Sequence, residues 1–253
     1  MKSLRTLASP AALGLVGLLA LLWAPMAAHA QDGADDGLVL LAGAGGALLA
    51  AWATDDHLHR ELHRPPGGPL DGLVDFGTRV GKPMWFLSGL GGLYLGGELL
   101  DESELSEGAV HALAALIASG VVNGSLKFTL GRCRPDASLD CDARDFRGLE
   151  VEDHLQSFPS GHAVVAYSLA TTLAHKTEST WVGALGYGAA SVVGWSRIHR
   201  GRHWVSDVLG GAIVGVAMSR LTLDWLDDRG ENDDERIRFG LVSGGLGVRV
   251  PVR

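Results

Sequence analysis

Apolar and polar positions follow one another along this chain in blocks of helical length. Residues 38–53, 84–100, 109–132, 163–176, 181–195 and 207–225 are six apolar segments rich in Gly and Ala, set apart by polar stretches. Between the first two lies 70–80, where Leu70, Leu73, Val74 and Phe76 recur at helical period among Asp71, Asp75 and Arg79. That spacing predicts an amphipathic helix with one wet face. Alternation with period two comes only near the end. There Ile237, Phe239, Leu241 and then Val248, Val250, Val252 flank Ser243-Gly244-Gly245, the pattern of a β-hairpin. The expected fold is all-α, a helical bundle of about six core helices with a C-terminal hairpin appended.

The polar stretches divide the chain further. Residues 1–30 carry Lys2 and Arg5, an apolar run over 11–24 and then Ala28-His29-Ala30, which reads as a secretory signal peptide with its cleavage site. The expected organisation is a signal peptide over 1–30, one domain over 31–226, and an acidic linker with the hairpin over 227–253. Export points to the periplasm. The apolar segments are shorter than the roughly 20 residues a comfortable membrane span needs, yet Gly-rich helices with few charges also suit association with, or embedding in, a membrane.

Composition narrows the partners. A formal net charge of -8 with no basic stripe leaves nothing to neutralise a phosphate backbone, so no nucleic acid is expected. His57, His59 and His63 cluster before Pro65; His59 and His63, four apart, could share a helix face, but no third ligand is placed beside them for a metal, and a solvated helix end accounts for them. Cys133 and Cys141 are the only cysteines; in an exported protein they form either a disulfide, stabilising by about 2 to 3 kcal/mol, or two free thiols. The mixed-charge stretch 136–156 has no apolar period and reads as a loop over a site. Oligomeric state is not legible.

The chemistry concentrates in three short stretches. In SRIHRGRHWVSD, 196–207, a helix starting near His203 puts Asp207 four residues on and on the same face, so its carboxylate orients one ring nitrogen and leaves the other free to attack. Arg197 folds back over that spot. In KFTLGRCRP, 127–135, Lys127 and Arg134 stand two helical turns apart and are expected on one face until Pro135 stops the helix. In PSGH, 159–162, Ser160 suits an N-cap, Gly161 lets the backbone approach a ligand, and the first-turn N–H groups favour an anion. Together they fit a phosphate-sized oxyanion without a metal.

These blocks, K-x6-R-P, P-S-G-H and S-R-x5-H-x3-D in that order, resemble the type 2 phosphatidic acid phosphatase (PAP2) and vanadium haloperoxidase superfamily. The resemblance implies that His203 attacks phosphorus to give a phosphohistidine, with Asp207 orienting it. His162 protonates the leaving oxygen and later activates water. Lys127, Arg134, Ser160, Gly161 and Arg197 hold the phosphoryl oxygens. No metal and no cofactor are implied. The expected substrate is a phosphorylated lipid or isoprenoid pyrophosphate; a small soluble phosphomonoester is the alternative, and vanadium-dependent halide oxidation a third reading.

Overall fold

The computed structural model describes residues 34–81, 83–137, 141–232, 238–242 and 245–249. The signal-peptide reading of 1–30 falls outside them. Among the described residues the bundle is built from α1 (Ala34–Leu62), α2 (Asp71–Val80), α3 (Pro83–Leu100), α4 (Ser103–Leu130), α5 (Gly161–Thr177), α6 (Thr180–His199) and α7 (Val205–Asn232). A two-stranded antiparallel hairpin, β1 (Arg238–Val242) and β2 (Gly245–Arg249), pairs Val242 with Gly245. The helices match the six apolar segments and the amphipathic one, and they run beyond the apolar cores into polar flanks. That is why segment length understates their reach: α4 spans 28 residues, and it and Val205–Arg229 are long and apolar enough to cross a membrane. α7 continues to Asn232, so Asp227 and Asp228 sit on a helix where a linker was expected. Asp227 there accepts from His175 at 2.6 Å and from Lys176 at 3.1 Å.

The centre of the bundle is α5, packed between α6 and α7 and against α4. Small side chains make this possible. Ala163, Ala166 and Ala170 meet Ala190, Val193, Val208, Ala212 and Val216 around Tyr167 and Tyr187 in one core. At Gly211 and Gly215 an added Cβ would lie 2.6 Å from the Ser160 and Val164 carbonyl oxygens, so these two glycines let α7 lie directly on the start of α5. Buried hydroxyls inside this core are paired, Tyr167 with Ser191 at 3.0 Å and Ser168 with Ser219 at 2.7 Å, which avoids the cost of an unmade hydrogen bond.

The outer faces are apolar. Leu73 and Phe76 on α2, Met84, Trp85 and Leu87 on α3, Ile117 and Val121 on α4, and Trp181 and Leu185 on α6 are all exposed. So much large apolar surface exceeds what scattered surface residues provide.

Candidate active site

α4 ends because Gly131 takes the left-handed conformation (φ 57°) and returns its N–H to the Lys127 carbonyl. The expected shared helix face for Lys127 and Arg134 is therefore corrected: a glycine C-cap stops the helix before Arg132, and Arg134 reaches the site from the segment that follows. That segment is pinned on several sides. Arg132 bridges Phe146, Cys133 is disulfide-bonded to Cys141, and the Arg134 N–H donates to the His154 carbonyl at 2.9 Å. The loop over 136–156 supplies the cations' partners. Arg134 Nε donates to the Asp153 carbonyl at 2.7 Å, its Nη2 to the Asp153 carboxylate at 3.0 Å, and Lys127 Nζ to the Gln156 carbonyl.

His203 stands just before α7 and Asp207 in its first turn. Asp207 Oδ2 accepts from the Trp204 N–H at 2.9 Å and from the Ser157 hydroxyl, and lies 3.4 Å from His203 Nδ1. On the far side of the ring, Nε2 is 3.4 Å from Arg134 Nη1. The imidazole is only 2% exposed. Burial pushes it down to about 3, against the Asp207 hydrogen bond and charge that pull it up, so at neutral pH the ring is uncharged. The unfolded chain binds a proton here that the folded one refuses. Stability should thus fall as pH drops from the ordinary 6.5 towards about 3. Thermal melts across that range should show the wild type losing stability relative to His203→Ala; parallel curves would contradict a neutral buried ring.

The start of α5 is docked on this pair, since the Ser160 N–H donates to the Asp207 carbonyl at 2.9 Å. Ser160 is the N-cap residue by position, but its fully buried hydroxyl makes no hydrogen bond among the described residues. Gly161 faces the same way: a Cβ there would come 3.5 Å from the Asn123 amide and 4.0 Å from Lys127 Cε. His162 is half-buried, with its ring against Gly81 after α2. Arg197 is buried at the end of α6, its Nε without a partner among the described residues, close to the charges of Arg202, Arg134, Asp136 and Asp153.

His203, Asp207, Arg134 and the Ser160 backbone are thus joined by direct contacts; Lys127 stands near Gly161, His162 follows in the first turn of α5, and Arg197 comes from the end of α6. Sequence reasoning missed four participants. Arg132 is fully buried and donates to Asp207 Oδ1 at 2.7 Å, to Ser206 Oγ at 2.7 Å and to Asp55 Oδ2 at 2.8 Å. Asp55 and Ser206 complete that group, and Ser157 holds Asp207 from the loop. The one local signal was Arg132 itself, a second arginine beside Arg134. Asp55 read as the polar edge of an apolar segment. The histidines at the end of α1 and just after it also pack more closely than a solvated end implies: His59 stacks on His63 with ring centroids 5.1 Å apart and meets Trp204 edge-on.

Fold and site place the chain among all-α proteins that gather a histidine, its carboxylate and several held cations at one end of a helical bundle. The family model for the PAP2 superfamily matches residues 108–231. The lipid A 1-phosphatase of Porphyromonas gingivalis is 32% identical over 189 residues, 72% of this chain and 37% of that protein. The undecaprenyl-diphosphatase of Sulfolobus acidocaldarius is 39% identical over 75 residues, covering 30% of this chain and 36% of the relative. These matches span less than two fifths of the curated relatives' own length. The crystal structure of Aquifex aeolicus LpxE superposes with a TM-score of 0.53 at 25% identity over 67% of this chain and 94% of that one. A transmembrane PAP2 type phosphatidylglycerolphosphate phosphatase from Bacillus subtilis shares the fold, with a TM-score of 0.53 at 20% identity, covering 87% of this chain and 98% of its own. The chain belongs to the PAP2 superfamily.

Proposed function

We propose that this protein is a phosphatase that hydrolyses a lipid phosphate or an isoprenoid pyrophosphate through a phosphohistidine on His203. The observation that carries the reading is the alignment at that ring: Asp207 lies at Nδ1, Arg134 at Nε2, and burial keeps the imidazole neutral. With the Nδ1 proton held by Asp207, the Nε2 lone pair forms a bond to phosphorus while the bond to the leaving oxygen breaks. His162 gives that oxygen a proton. Water then attacks the phosphorus, passing a proton back to His162, and the N–P pair returns to His203. Lys127, Arg134, Arg197, the Ser160 hydroxyl and the Gly161 N–H hold the three phosphoryl oxygens as charge builds on them. Ser160 Oγ and Arg197 Nε, unpartnered among the described residues, suit that role.

A lipid substrate is favoured by the relatives, a lipid A 1-phosphatase and an undecaprenyl-diphosphatase, and by the exposed apolar side chains along the bundle. Export of the chain after removal of residues 1–30, and action at a membrane from the periplasmic side, belong to the same proposal.

The test is phosphate release by the purified protein in EDTA and mild detergent, from a lipid phosphate and from a water-soluble phosphomonoester. Faster release from the lipid supports the reading. Faster release from the soluble ester replaces it with a general acid phosphatase, and no release by folded protein overturns both.

Gly81→Ala offers a check on His162. The added methyl would come 2.6 Å from the His162 ring and 2.8 Å from Val193, while the backbone φ of -70° is ordinary. Only space objects. Displacing the ring should lower kcat about tenfold or more, and overpacking should cost about 1 to 3 kcal/mol in a thermal melt. An unchanged kcat would separate His162 from the proton transfers.

A further inference from the structure

Three fully enclosed charges from distant parts of the chain meet behind the site. Arg132 Nη1 donates to Asp207 Oδ1 at 2.7 Å, and Nη2 donates to Asp55 Oδ2 at 2.8 Å. All three side chains are at most 1% exposed. Asp55 comes from α1, 77 positions before Arg132, and its other oxygen accepts the Ser206 N–H at 3.0 Å. The guanidinium is further fixed by the Ala143 carbonyl at 2.6 and 3.0 Å and lies over the Phe146 and Trp204 rings. Asp55 therefore anchors both Arg132 and the first turn of α7, on which Asp207 rides.

We propose that Arg132 and Asp55 are positioning residues for the reaction on His203. Arg132 takes one oxygen of Asp207, so the other faces His203 Nδ1 in a single orientation. Among the described residues, each polar partner of the Asp207 carboxylate is then a donor: Arg132, the Ser157 hydroxyl, the Trp204 N–H and the His203 ring. Such a carboxylate stays ionised and holds the proton of His203 on Nδ1, leaving Nε2 bare towards Arg134. Asp55 keeps the guanidinium from swinging out of this geometry, because its fork is engaged at both ends. The inference rests on the proposed function and adds to it two residues outside the three motif blocks' signature positions.

A buried Arg between two carboxylates has a rival explanation: Arg132 is there only to neutralise Asp55. The two are separated by comparing Arg132→Gln, Asp55→Asn and the double variant, reading kcat, KM and the melting temperature of the full chain. Arg132→Gln should lose stability and about 100-fold in kcat, with KM within about threefold of wild type. Asp55→Asn keeps the Arg132–Asp207 contact but loosens its anchor, and should lower kcat about tenfold. In the double variant both extra charges are gone, leaving Asp207 as the one charge of the three. Its melting temperature should recover towards wild type while kcat stays low.

Recovery of kcat together with stability in the double variant would overturn the inference and leave Arg132 as a counter-charge. A rise in KM with kcat unchanged would overturn it as well, as would Asp55→Asn at wild-type kcat for the part assigned to Asp55. Should Arg132→Gln alone fail to fold, the double variant and Asp55→Asn carry the comparison. Folded wild-type protein that releases no phosphate removes the proposed function and this inference with it. An active wild type whose variants give any of these contrary results removes the inference alone.

Discussion

His203→Ala should reduce phosphate release by a factor on the order of 10⁴ or more, the scale seen when a covalent nucleophile is deleted. The protein should remain folded. Removing the ring leaves no stranded charge behind it, because Asp207 keeps its contacts with Arg132, the Ser157 hydroxyl and the Trp204 N–H. The cost is a cavity, on the order of 2 to 4 kcal/mol for so enclosed a side chain. The remaining cations can still bind and polarise a phosphoryl group, so residual catalysis over water is expected. Steady-state rates on the faster substrate, with a thermal melt of the same preparation, check both parts. Retention of more than about a hundredth of wild-type kcat would be incompatible with a nucleophile at this position.

Asp207→Asn should cost about 10³- to 10⁴-fold in kcat, by analogy of role with the carboxylate of a hydrolase triad. The reason is specific to this site. Among the described residues the Asp207 carboxylate is paired with donors alone, so an amide must turn its NH₂ towards one of them. Facing His203, it would donate to Nδ1 and move the ring proton to Nε2, where the attacking lone pair is needed. Facing Arg132, it would set two donors against each other in a buried place. Stability should fall too, by roughly 3 to 5 kcal/mol if Arg132 lost all compensation, and by less here because Asp55 still holds it at 2.8 Å. The two effects are read separately, kcat below the melting transition and the transition itself. Near-normal turnover in Asp207→Asn would remove the carboxylate from the mechanism.

Much of this site was legible because its parts are short-range. His203 and Asp207 are four residues apart and meet within one turn; Ser160, Gly161 and His162 are consecutive at a helix start. Arg134 shows where local reading fails. Seven residues from Lys127 implies a shared helix face, but Gly131 ends α4 first, and Arg134 arrives by way of the disulfide-bonded segment and the Asp153 contacts. Leu-Gly at the end of an apolar run was the signal for that stop, and it was outweighed by the apparent reach to Pro135. The apolar segments were likewise found in the right places and judged too short, because polar residues such as Asp55 and Asp227 lay beyond their ends and are within helices.

By itself the sequence determined the all-α class, the number and order of the helices, the hairpin pattern and the three blocks that carry the chemistry. These are encoded locally, in hydrophobic period and in contacts within a turn. Only the tertiary structure decided which charges stand behind His203. Arg132 meets Asp55 and Asp207 across 77 and 75 positions of chain, and Ser157 meets Asp207 across 50. Such pairings depend on how whole helices dock, through the close approach at Gly211 and Gly215 and the small-residue core around α5. Periodicity carries no record of that, and an arginine or aspartate read alone defaults to the surface, where most of them lie.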